Sequence, residues 1–177
     1  MQRGFRRTLV GVAIAASLGG AAAAQPVDDG SNALEPGDNA AEAAQPVDDG
    51  WDALERGDYA AAVEAFQADQ GDVEAEYQLG AMYYEGQGVP QDYATAAQWY
   101  QKAADGGDAD AQFVLGLMYS EGQGVPLDYA EAYERLNLAS TLLDNADERA
   151  AAAEARDEVG ELMSPEELAE ARQRAGL

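Results

Sequence analysis

The stretch Leu79–Ala96 returns at Leu115–Ala132, shifted by 36 residues, with 14 of 18 positions identical. Both copies contain the hexapeptide EGQGVP, at 85–90 and again at 121–126. A period in the thirties signals stacked helix pairs, because one such unit cannot bury its apolar face without neighbours. No other feature constrains the chain as strongly.

Within one period the residues spell two helices. Helix A of the first unit is expected from about Asp72 to Glu85, with Ala75, Leu79, Met82 and Tyr83 recurring at helical spacing. Gly86 falls where a helix ends in a left-handed residue. Val89 is held extended by Pro90, so the old helix cannot continue. Asp92 then caps helix B, which carries Tyr93, Ala96, Trp99, Tyr100 and Ala103. In the second unit, Asp128 followed by Glu131 predicts a capping box, and DGGDADA (105–111) links the pairs. The Gly-rich hexapeptides are not phosphate loops. No Lys follows them, and Pro90 and Pro126 each remove an N–H that a phosphate cradle would need.

The segment AEYQLGAMYYEGQGVPQDYATAAQWYQKAADGGDADAQ resembles a Sel1-like repeat, a relative of the tetratricopeptide repeat. The matching positions include Ala75, Leu79, Gly80, Tyr83, Gly86, Gly88, Asp92, Ala96, Trp99, Tyr100 and Gly107. The second copy keeps Ala111, Leu115, Gly116, Tyr119, Gly122, Gly124, Asp128, Ala132 and Ala139. It departs at Arg135 and Leu136, where the pattern has Trp and Tyr, which marks a terminal unit. Residues 51–71 are similar to the partial opening unit of secreted members. The resemblance implies an all-α fold, a short right-handed superhelical solenoid of antiparallel helix pairs over 48–143, with repeats at about 72–107 and 108–143. Residues 144–177 are expected to form C-terminal capping helices: Val159, Leu162 and Met163 face inward, and Ser164, Pro165 and Glu167 open a last helix with a capping box.

Ahead of the repeats lies a different duplication. Residues 23–41 recur at 43–61 with 15 of 19 positions identical. The first copy has Ser31, Asn32, Pro36 and Asn39 where the second has Trp51, Asp52, Arg56 and Tyr59. Lacking aromatics and carrying a helix-breaking proline, residues 25–47 are expected to be a disordered linker. Residues 1–24 read as a secretory signal peptide: Arg3, Arg6 and Arg7, a short apolar stretch, then Ala22 and Ala24 before a cut ahead of Gln25. Export to the periplasm follows as the expectation, with no membrane attachment once the peptide is removed.

Function is bounded by what is missing. The chain has no His and no Cys, which removes zinc and haem ligation, thiol nucleophiles and His-based general bases. Ser31, Thr95, Ser120, Ser140, Thr141 and Ser164 stand in no serine-acylation motif. DGGDAD lacks the residue order of a calcium loop. No catalytic residue, metal or cofactor is therefore expected. With 34 acidic and 10 basic residues, a formal charge of −24, the surface repels nucleic acid.

The variable helix A positions are the candidates for partner binding: Gln78, Ala81 and Tyr84 against Val114, Leu117 and Ser120. In this repeat class helix A lines the concave surface, so the resemblance implies a groove there for a protein or peptide. The acidic rim would steer a basic partner. The competing expectation is that these side chains pack against neighbouring helices or the C-terminal cap. The resemblance implies an adaptor of the bacterial cell envelope, in signalling or assembly; a cell-wall binding or hydrolytic protein is the alternative.

Overall fold

The computed structural model describes residues 46–69 and 71–177. The expected signal peptide (1–24) and nearly all of the expected linker (25–47) lie outside the described residues. The described chain holds eight helices and no strand. They are α1 (Pro46–Glu55), α2 (Tyr59–Ala68), α3 (Val73–Glu85), α4 (Tyr93–Asp105), α5 (Ala109–Glu121), α6 (Tyr129–Leu142), α7 (Ala146–Leu162) and α8 (Pro165–Arg174). Sequence neighbours pack on each other as pairs α1–α2, α3–α4 and α5–α6; α7 and α8 then both close on α6. The first helix begins at Pro46, ahead of the expected boundary at 48.

Each pair is locked by one glycine on its first helix. A Cβ on Gly50 would lie 2.5 Å from the Phe66 ring, one on Gly80 2.6 Å from Tyr100, and one on Gly116 2.6 Å from Leu136. Phe66, Tyr100 and Leu136 are all fully buried, so the bulky knob of the second helix fills the space the glycine leaves. Close approach of the two backbones is thereby built into the repeat, and Leu136 fills the same slot that Tyr100 fills one unit earlier.

The turns follow from backbone chemistry. Gly86 adopts φ 76°, ψ 35°, and Gly122 φ 67°, ψ 33°, the left-handed C-terminal caps expected of them. Asp92 accepts from the Ala94 and Thr95 amides and from the Thr95 hydroxyl at 2.7 Å. Asp128 accepts from Ala130 and Glu131, but the reciprocal half of the expected capping box is absent. The Glu131 carboxylate instead pairs with Arg135 at 2.8 Å, a charge-assisted bond that competes better than a cap. At α8 the Ser164–Glu167 capping box is present, with Pro165 in the first turn. Val159 is buried and Met163 packs beside it, whereas Leu162 is 44% exposed, contrary to expectation. Gly160 and Ala155 take the inward face of α7.

The second glycine of each hexapeptide has a role beyond the turn. A Cβ on Gly88 would sit 2.5 Å from the Tyr59 carbonyl carbon, at the start of α2. Gly124 lies against the Tyr93 backbone in the same way, at the start of α4. Val89 packs into the α2–α3 cluster and Val125 into the α4–α5 cluster. EGQGVP thus docks each unit on the second helix of the unit before it.

Candidate partner-binding face

Helix geometry groups the candidates. Glu74, Gln78, Ala81 and Glu85 are spaced by four, three and four residues and share one face of α3; Asp110, Val114, Leu117 and Glu121 share the corresponding face of α5. Glu74, Glu85, Asp110 and Glu121 are exposed at the helix ends, while Gln78, Ala81 and Leu117 are half-buried between them. Each face therefore sets half-buried or buried side chains between carboxylates at the two helix ends.

The structure divides the six expected groove residues. Val114 is a correction: it is 7% exposed and belongs to the core with Ala97, Tyr100 and Met118, so it is no groove anchor. Leu117 packs partly against the cluster of Tyr133, Leu136 and Val159 beneath the C-terminal helices. Ala81 and Tyr84 rest partly on the α4–α5 core. The Ser120 hydroxyl donates to the Leu117 carbonyl at 2.8 Å and so satisfies itself within its own helix. Tyr84 donates its hydroxyl to Gln123 Oε1 at 2.8 Å and sets its ring edge-on to Tyr93, centroids 5.0 Å apart. Burial, with the nearby Tyr93, raises the Tyr84 phenol above its usual range, so it stays protonated as a donor. Tyr84 thus links its helix to the hexapeptide of the following unit. Packing against neighbours claims Val114, most of Leu117 and Tyr84; Gln78 and Ala81 remain on the open face.

Sequence reasoning missed a polar row. The residue after each buried knob is an amide: Gln67, Gln101 and Asn137. Gln67 Nε2 donates to the Tyr83 hydroxyl at 3.1 Å. Gln101 Oε1 accepts from Arg135 at 3.2 Å, and Asn137 Oδ1 accepts from Arg156 at 3.1 Å. Each amide bonds the next unit. Arg135 also donates to Gln112 Oε1 at 3.1 Å, and buried Gln112 donates onward to the Ala104 carbonyl at 3.0 Å. The departure from Trp to Arg at 135 is a tie across three helices. The recurrence of amides one residue after the knobs was the available signal.

A cavity of about 470 Å³ opens between the α4–α5 and α6–α7 turns, lined by Val73, Asp108, Asp110, Leu142, Asp144 and Glu148 among others. Asp108 and Asp110 are held above the usual carboxylate range, first by burial; repulsion from Asp108 and Asp144 adds to the effect at Asp110. Among the described residues no group of three or more carboxylates is arranged to hold a metal ion.

Paired helices repeating through space define a helical-repeat scaffold. Residues 73–108 and 109–141 match the family model of the Sel1 repeat, and the chain carries two Sel1 repeats. Similar solved structures include two at 30% identity. A protective antigen present in uropathogenic Escherichia coli strains, which displays an SLR fold, matches with a TM-score of 0.64 over 73% of this chain and 28% of its own. A Sel1 repeat protein from Oxalobacter formigenes matches with a TM-score of 0.54 over 66% of this chain and 45% of its own. The chain thus spans less than half the length of either. No curated protein matches it. The architecture is that of a Sel1-repeat solenoid, and repeats of this family generally mediate protein–protein interaction and are generally non-catalytic.

Proposed function

We propose that this chain is a non-catalytic adaptor of the bacterial cell envelope that binds a protein or peptide, one with basic character, on the open faces of α3 and α5. The observation that carries the reading is the matched placement of exposed carboxylates at the helix ends, Glu74 and Glu85 on α3 and Asp110 and Glu121 on α5, around the half-buried Gln78, Ala81 and Leu117. Ala81 lets a partner approach the backbone of α3, and carboxylates at both helix ends steer a cationic surface. The arginine-led apolar N-terminus supports export to the periplasm.

A photo-crosslinking residue placed at Ala81 tests the reading in the exporting cell. The expected result is a discrete crosslinked protein that is lost on Glu85→Lys and Glu121→Lys, with a mature N-terminus at Gln25. Release of soluble fragments from peptidoglycan by the purified protein would overturn it.

A further inference from the structure

The last repeat differs from the one before it along the outer stripe of its second helix. Glu131, Arg135, Leu138 and Leu142 are spaced by four, three and four residues and share one face of α6. The corresponding stripe of α4 runs Thr95, Trp99 and Lys102, ending at Gly106. There the Lys102 ammonium lies 3.7 Å from the Trp99 ring centroid, so an apolar surface is covered by a cation. On α6 the cover is gone: Leu138 is 43% exposed and Leu142 50%, although α7 and α8 both pack on the same helix. Two leucines one turn apart, left open by the cap, form an apolar stripe unpartnered among the described residues.

Leu142 also forms a wall of the 470 Å³ cavity, with Val73 as a further apolar group and Asp108, Asp110, Asp144 and Glu148 around it. None of these four carboxylates enters an ion pair among the described residues. Nearby Arg149 donates to the Leu143 and Asp144 carbonyls instead, at 2.8 and 2.7 Å. Asp108 is engaged as the cap of α5, and the site offers apolar area beside the Asp110, Asp144 and Glu148 carboxylates, which enter no ion pair among the described residues. A Lys or Arg side chain suits it, because its methylene stem can lie on Leu142 and Val73 while its charged end reaches the carboxylates. A second copy of this chain does not suit it, because a formal charge of −24 sets like charge against like.

We propose that Leu138, Leu142 and the adjoining acidic cavity form a docking site for a cationic, leucine-bearing segment of a partner protein. The inference rests on the reading of the chain as a protein-binding scaffold, and it names a second site centred on α6, which shares Asp110 with the face of α5. One basic side chain enters the cavity, and an apolar neighbour covers Leu138.

The test uses the full chain and an amidated helical peptide of Leu and Lys. The comparators are the same peptide with Gln for Lys and the polyamine spermine. Amide shifts on titration should centre on Leu138, Leu142, Asp110 and Asp144. Leu138→Gln with Leu142→Gln should weaken binding about tenfold or more, the effect of losing roughly 1.4 kcal/mol. Asp144→Asn with Glu148→Gln should weaken binding and flatten its salt dependence. Both leucines are exposed, so the double variant should melt like the parent. Undiminished binding by the leucine variant, equal binding of spermine, equal binding of the Gln peptide, or shifts confined to Gln78 and Ala81 would each overturn the site. The last of these, or a partner captured through Ala81 without any Leu138-dependent binding, would overturn this inference while leaving the proposed function standing.

Discussion

At the scale of single residues, two kinds of glycine carry this fold for different reasons. Gly86 and Gly122 are needed for their left-handed backbone, which is local and legible from their place ahead of Val-Pro. Gly80 and Gly116 are needed because a neighbouring side chain occupies the space of their missing Cβ, which their own helix does not reveal. The two mechanisms make separable predictions. Gly86→Val should destabilise through backbone strain, by about 1–2 kcal/mol. Gly80→Ala removes a poor helix former, yet it should destabilise by about 1–3 kcal/mol through overpacking against Tyr100. In Gly80→Ala with Tyr100→Ala the added methyl no longer meets a ring, so the loss should be smaller than the sum of the two single losses. Urea melts of Gly86→Val, Gly80→Ala, Tyr100→Ala and the double variant check this; additive losses in the double variant would contradict the knob-and-glycine account.

At the scale of elements, helix ends and inter-unit contacts explain why the repeat has its particular turn. Sequence alone placed α3 through α6 closely, since Asp72, Asp92, Asp108 and Asp128 each accept from the first turn of the helix that follows. It did not show that Gly88 and Gly124 meet the preceding unit, because the contact joins residues about 30 positions apart. Nor did it rank rival uses of one side chain: Glu131 could cap α6 or pair with Arg135, and the guanidinium wins. Arg135 is mostly shielded and binds Glu131, Gln101 and Gln112. Arg135→Ala should cost about 2–3 kcal/mol, because it leaves the amide of buried Gln112 without its charged donor. Arg135→Met, which keeps the stem, should recover only the packing part. Thermal melts separate the two; a neutral effect of Arg135→Ala would mean that the cross-helix tie carries no net stability.

At the scale of the whole molecule, charge governs response to pH. Asp108, Asp110 and Glu134 have raised carboxyl pKa values, chiefly from burial. A raised carboxylate means that the folded state holds more protons than the unfolded chain, so stability rises as pH falls through those values. Asp92 and Glu167 are lowered, chiefly by hydrogen bonds from Thr95 and Ser164, and their contribution is lost as pH falls through the lowered values. Tm should therefore rise from pH 7.5 to about 5, as net repulsion also eases, and fall below about pH 3.5. A Tm that drops steadily from neutral pH would contradict this. The C-terminal helices also act globally: Val159, Met163, Leu168 and Ala171 cover Tyr133 and Leu136. A chain ending at Leu143 should lose cooperative melting and associate through that exposed face, as size-exclusion chromatography would show.

The all-α class, the 36-residue period and most helix boundaries were determined by the sequence itself, because periodicity, capping and turn chemistry act between residues a few positions apart. The placement of partner-binding residues was not, because one helical face looks alike whether a neighbour covers it or solvent does. Only the tertiary structure decided that Val114 is core and Tyr84 a link between units, that Gln78 and Ala81 stay open, and that the cap leaves Leu138 and Leu142 uncovered. Exposure is set by what the other helices fail to cover, and that is a property of the stack.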